Sequence, residues 1–337
     1  MYHFNGACYN ENENNNYMEI NSVLETTKFV VDNSQSVKID KNRIADFAKT
    51  FEHGSVHHWL SEAPFNFSHF SDEEKLHFIF IFNALSFCYW GEPKWTIDFN
   101  GQSYDGAWGM IVALGRAIQE GYNILDFNYC ANVSAKEFKN ILRANTEIPL
   151  FEERLRVLNE MGRVTLEKYD GKIANLIKES NNDSQKLLNI IISNYPGFKD
   201  ESIYKEQIIF FNKRAQLLTS DIYQIFNGQG FGELKNIDSI TACADYKLPQ
   251  ILRKFGIFTY SAELADKIDR KIELKSNSSE EIEIRANTIW AIEYIKQLVV
   301  KNNPKIISIE INDHLWLATQ EKFPDDKPYH RTKTTAY

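Results

Sequence analysis

The chain has 337 residues, 43% hydrophobic and 13% aromatic, enough to bury a large core in one domain or two. Its formal net charge of -8 argues against a protein that wraps duplex nucleic acid, because neutralising phosphates takes a basic face. Cys8, Cys88, Cys130 and Cys243 lie far apart with no Cys-x-x-Cys pair, which argues against zinc or a disulfide framework and for a reducing, cytoplasmic compartment.

In chain order, residues 1–20 are Asn-rich and read as a disordered lead-in with no export signal. Residues 21–337 read as one mainly α domain, a pattern compatible with two lobes around one cleft. Asp40 caps a helix that carries Ile44, Phe47, Ala48 and Phe51 on one face. Ser71 with Glu74 forms a capping box ahead of "FIFIFNALSFCYW", residues 78–90. That run is too short to span a bilayer and is expected to be a buried core helix. Next, Trp95, Ile97 and Phe99 alternate with polar residues up to Asn100-Gly101, the signature of a small β-hairpin with a type I′ turn. Ser134 with Glu137 repeats the capping signature, and Pro149 is placed as a first-turn residue of a helix that Gly171 closes. Further helices are expected over 184–194, 206–226, 279–301 and 307–323. "GQGFG", residues 228–232, looks like a phosphate loop but follows a helix and not a strand, so it reads as simply a loop.

Walker loops, dinucleotide fingerprints, His-Glu-x-x-His and nucleophile elbows are all missing from the sequence. Carboxylates and aromatics remain. Asp245, in "ITACADYKLPQ", stands four residues before Pro249, at the start of a helix that Gly256 ends. Two roles are open to it: an acid favoured by the helix dipole, worth about 0.3–1 kcal/mol, or the group that does chemistry. Trp90, Trp95, Trp108, Trp290 and Trp316 read as core.

"ADYKLPQILRKFG", after a helical "IDSITAC", resembles the catalytic-Asp segment of helix-hairpin-helix DNA glycosylases. A broader likeness runs through "FNALSFCYWGEPKW", "GQSYDGAWGMIVALGRAIQEG", "EIPLFEERLRVLNEMG", "FFNKRAQLLTSDIY", "ADYKLPQ", "EIEIRANTIWAIE" and "PYHRTKTTAY". These ordered blocks resemble the queuosine salvage protein family. The resemblance implies a DNA-glycosylase-like helical fold, with residues 21–337 as one catalytic domain. It implies hydrolysis of queuosine 5′-phosphate to queuine without metal or cofactor, by a monomer that engages neither nucleic acid nor membrane. Asp245 matches the catalytic acid, a carboxylate beside the anomeric carbon that stabilises or traps an oxocarbenium-like centre.

The same resemblance assigns the substrate contacts. Cys243 stands where the family often places an aromatic residue against the base. Asn312 and Asp313 in "EINDHLWLA" match base or cyclopentenediol contacts, with Leu317 where an acid can occur. A base-contacting His is matched by spacing to His69, ahead of His57 and His58. Lys213, in "FFNKRAQLL" with Arg214 and, further on, Asp221, is either a cation for phosphate or sugar or part of a solvated face, and His330 and Arg331 are alternatives for the phosphate. A base-excision glycosylase and a non-catalytic helical scaffold stay open as competing readings.

Overall fold

The computed structural model describes residues 22–51 and 58–337. The N-terminal lead-in and His57 lie outside the described residues. The chain is mainly α, as expected, beginning with α1 (Ser22–Asn33), β1 (Val37–Ile39), α2 (Lys41–Thr50) and α3 (Asp72–Leu85). The small hairpin β2 (Thr96–Phe99) and β3 (Gln102–Asp105) runs into α4 (Gly106–Gln119). Then come α5 (Phe127–Asn132), α6 (Ala135–Ile141), α7 (Phe151–Tyr169), α8 (Ile173–Glu179) and α9 (Ser184–Asn194). A second hairpin, β4 (Glu201–Tyr204) and β5 (Gln207–Phe210), precedes α10 (Lys213–Ile225). The chain closes with α11 (Lys247–Lys254), β6 (Phe258–Tyr260), α12 (Ala262–Asp269), α13 (Ser279–Val299) and α14 (Ser308–Ala318).

Local signals fix most helix starts. Asp40 accepts the amides of Asn42 and Arg43, and Ser71–Glu74 and Ser134–Glu137 form complete capping boxes, each cap being worth about 1 kcal/mol. Asn100 and Gly101, at φ 50° and 77°, make the β2–β3 turn in register Phe99↔Gln102. Gly162 on α7 allows α5 to pack backbone to backbone, since a Cβ there would lie 2.4 Å from the Ala131 nitrogen.

The structure departs from expectation at several boundaries. Residues 207–210 form β5 and not the start of α10, with Ile203↔Ile208 as an exposed cross-strand pair. Lys205 and Glu206, both at positive φ, make this turn without the Gly or Asn that signals one. β1 and β6 add a third pairing between distant segments, so the described residues hold three strand pairs where one hairpin was expected. The helix through 78–90 stops at Leu85, because the buried Arg154 takes the carbonyls of Leu85, Phe87 and Cys88. Pro149 lies before α7, with Leu150 left-handed at the N-cap. "IDSITAC" holds one 3₁₀ turn, Ile237–Ser239, followed by chain that belongs to no helix or strand, and α14 ends at Ala318.

Buried side chains gather into two large clusters. One is built around α3, α4, α7 and α10, the other around α1, α2, α11, α13 and α14, and Trp316 packs against both. Small groups fill the seam: Leu217, Cys243 and Ile309, and also Phe87, Cys88, Trp90, Tyr246 and Tyr337.

Candidate active site

A cleft of about 850 Å³, counting its open mouth, lies at that seam. Its floor is the end of the segment 240–245, which belongs to no helix or strand, lines the cleft with Cys243 and Asp245, and is held by side chains of three helices. Gln216 of α10 accepts from the amide and hydroxyl of Thr241 at 2.9 and 2.8 Å. Asn312 of α14 accepts the Cys243 amide at 2.9 Å. The Arg285 Nε of α13 donates to the Ala244 carbonyl at 3.4 Å. Arg285 in turn pairs with Asp200 through both guanidinium nitrogens, at 2.9 and 2.6 Å, and lies over the rings of Phe211 and Tyr337. Asp200 also accepts the Lys213 amide at 3.0 Å, so one buried ion pair braces the segment before Asp245, the start of α10 and the Tyr337 ring.

Asp245 ends this floor. Its Oδ1 accepts the amides of Lys247 and Leu248 at 2.7 and 2.9 Å, the bonds of a cap on the first turn of α11. Oδ2 takes no protein hydrogen bond among the described residues, and the side chain lines the cleft. Burial pushes the Asp245 carboxyl above its usual range, opposed first by Lys213 and then by the two capping amides. Lys213 is buried, lines the cleft and has no ion pair among the described residues.

Asp313 is 1% exposed and lies within α14, away from any helix N-terminus. Asn312 Nδ2 donates to its Oδ1 at 3.1 Å, and the side-chain amide of Gln224 lies beside the carboxyl. Burial, with Asp221 adding to it and His58 opposing it, raises its carboxyl to about 7. Asn312 thus carries two tasks with one amide: it anchors Cys243 and orients Asp313.

Of the residues singled out in the sequence, Lys213, Cys243, Asp245, Asn312 and Asp313 all line this cleft. His69 does not: it is exposed in the turn before α3. His58 is the histidine next to the site, with Nε2 at 3.7 Å from Asp221, which also accepts Trp59 Nε1 and Asn83 Nδ2 at 2.8 Å each. Arg214 is fully buried and donates to the carbonyls of Ala84 and Gly197, so it belongs to the core and not to a solvated face. His330 is buried against Arg285, its basicity pushed down to about 3, and it bonds the Tyr337 hydroxyl; Arg331 pairs with Glu92. Leu317 packs against the first core cluster.

Sequence reasoning missed Trp59, Tyr89, Lys94, Asp105, Lys247 and Tyr329, and it assigned Trp316 to the core although that ring also lines the cleft. The aromatic richness of "HHWL" and "KPYHRT" was the available signal. Among the described residues no three or more His, Cys, Asp or Glu side chains gather to hold a metal ion, and no helix is long and apolar enough to cross a membrane.

The architecture defines a class: a mainly helical protein that presents a carboxylate fixed at a helix start, with one oxygen uncommitted, in an aromatic cleft. Residues 67–337 match the model of the family described as queuosine salvage protein, and the chain belongs to that family. A Sphaerobacter thermophilus protein, 35% identical over 94% of this chain and 97% of its own length, is named queuosine 5′-phosphate N-glycosylase/hydrolase. A Mus musculus protein of the same name is 34% identical over 94% of this chain and 98% of its own, and a Dictyostelium discoideum one is 28% identical over 94% and 98%.

Proposed function

We propose that this chain hydrolyses the N-glycosidic bond of queuosine 5′-phosphate with water, giving queuine and ribose 5-phosphate. The observation that carries the reading is the division of labour within Asp245, one oxygen fixed by the first turn of α11 and the other bare in the cleft. Breaking the bond to the base builds positive charge at the ribosyl centre, and a carboxylate fixed beside it needs no reorganisation to meet that charge. Because burial disfavours the Asp245 anion in the empty cleft, an arriving cation lowers its energy more than it would in water. Queuine is a 7-deaza base, so the ring nitrogen by which purines are often protonated for departure is a carbon. The sugar side must then supply more of the catalysis.

Asn312 and Asp313 serve as contacts for the base, and Cys243 lies against it, with Trp59 and Trp316 as further walls of the pocket. Lys213, close to both Asp245 and Cys243, serves the ribosyl side. His58 takes the place that spacing had given to His69. The chain acts as a cytoplasmic monomer, without metal or cofactor.

The test is incubation with queuosine 5′-phosphate, with unphosphorylated queuosine and with abasic or damaged DNA, followed by mass detection of the released base. Queuine from the nucleotide is the expected result. Release from neither queuosine form would overturn the proposal, and release from DNA alone would make the chain a base-excision enzyme.

A further inference from the structure

The cleft changes character from floor to mouth. Asp313, Trp59 and Cys243 are buried, whereas Lys94, Lys247 and Tyr329 line both the cleft and the open groove beside it, and so mark where it meets solvent. This rim is strongly basic in a chain of net charge -8. Asp105 answers two of its lysines, Lys94 at 2.5 Å and Lys322 at 3.3 Å. Lys247 has no ion pair among the described residues; its Nζ sits 5.1 Å from the centre of the Tyr329 ring. Lys94, Lys247 and Lys322 against Asp105 sum to +2, and Asp245, deeper in the cleft, is the other carboxylate that acts on Lys247. That charge is not comfortable, since burial first and then Lys94 lower the proton affinity of Lys247.

A second feature faces the same place. Asp105, Gly106 and Ala107 line the cleft at the start of the fourteen-residue helix α4. Asp105 is spent on lysines and makes no capping hydrogen bond, so the first amides of α4 are left uncapped. Gly106, at φ 59°, has nothing within 4 Å of where a Cβ would be, so there is open room beside those amides. Lysines and uncapped helix amides around an open space suit a phosphate dianion, whose charge of about -1.5 to -2 matches the local excess.

We propose that the rim formed by Lys247, Lys94, Lys322 and the start of α4 is the subsite for the substrate's phosphate monoester, and that Lys247 sets the preference for phosphorylated over unphosphorylated substrate. This rests on the function proposed above and adds an orientation to it: base against Asp313 at the floor, ribosyl centre at Asp245, phosphate at the rim. Lys213, deeper and nearer Asp245, then acts on the ribosyl side and not on the phosphate.

Two measurements test the subsite. In steady-state assays, Lys247→Ala is expected to lower the ratio of kcat/KM for queuosine 5′-phosphate over queuosine by roughly 10- to 100-fold, the worth of one charge-assisted contact. Lys213→Ala is expected to lower both substrates together and leave that ratio in place. By calorimetry, ribose 5-phosphate is expected to bind the wild-type protein and to bind Lys247→Ala and Lys94→Ala at least about tenfold more weakly, with ribose binding none of them. A ratio unmoved in Lys247→Ala but collapsed in Lys213→Ala, or ribose 5-phosphate binding untouched by both rim substitutions, would overturn the assignment. Binding does not require turnover. A wild-type protein that releases no queuine yet binds ribose 5-phosphate through Lys247 would therefore refute the proposed reaction and keep the subsite.

Discussion

Asp245 and Asp313 are buried in the same cleft, yet their surroundings make different acids of them. Asp245 stands at a helix start, with two amides on one oxygen and Lys213 nearby, so each neighbour pulls toward the anion against the pull of burial. Asp313 sits mid-helix beside the side-chain amides of Asn312 and Gln224 and near Asp221, and burial lifts it to about 7. Two carboxyl groups whose environments push them apart can divide the work between a fixed anion and a group that donates or accepts near neutrality. The contrast shows that backbone placement, more than residue type, sets the chemistry.

The strongest way to break the comparison is Asp245→Asn. Asn keeps an oxygen for the α11 amides and loses the charge, so kcat is expected to fall by about 10³-fold or more while the melting temperature stays within a few degrees. An active Asn variant with an unchanged melt would return Asp245 to the role of a cap.

Asp313→Asn probes the other half through pH. A carboxyl raised from about 3.9 to about 7 holds its proton longer in the folded state than in the unfolded chain, so its relative stabilisation is full below about pH 4 and is lost as pH rises to 7. Above pH 7 the wild type carries the whole cost of the buried anion, at most about 4 kcal/mol. The Asn variant is therefore expected to melt higher than the wild type at pH 8, with the gap narrowing toward pH 4.5, and to lose any inflection near pH 7 in kcat/KM. A gap that does not change with pH would contradict the environment described for Asp313.

The smallest effect separates two histidines. His58→Ala is expected to lower kcat/KM roughly tenfold, since His58 is the ring that faces Asp221 and Asp313. His69→Ala, at an exposed turn, is expected to stay within about twofold, as surface changes do. The reverse order, measured on queuosine 5′-phosphate, would restore the reading from spacing.

How much of this was legible depended on what each residue answers to. Capping boxes and the Asn100-Gly101 turn are local physics, and they are where the sequence places them. The β4–β5 turn at Lys205-Glu206 was illegible because neither residue signals positive φ. Arg214 was misread because its partners are the carbonyls of Ala84 and Gly197, and a sequence offers no periodicity for carbonyls. Arg154, likewise buried against carbonyls, ended α3 early. Asp245, Cys243, Lys213, Asn312 and Asp313 were singled out through the family likeness, while Lys94, Lys247 and Asp105 stand in those same blocks with no role attached and come together only in the folded cleft. His69 lies exposed outside the cleft while His58 stands beside Asp221, a difference that spacing along the sequence does not show.

The walls of the cleft are drawn from Trp59 through Lys213 and Asp245 to Tyr337, with nearly the whole chain between its first and last contributors. Hairpins and capped helices close over short loops and form early, whereas contacts of such separation wait until most of the chain entropy has been lost. The seam between the two cores is thus a place that no fragment of this protein can reproduce. Catalytic competence is a property of the finished molecule.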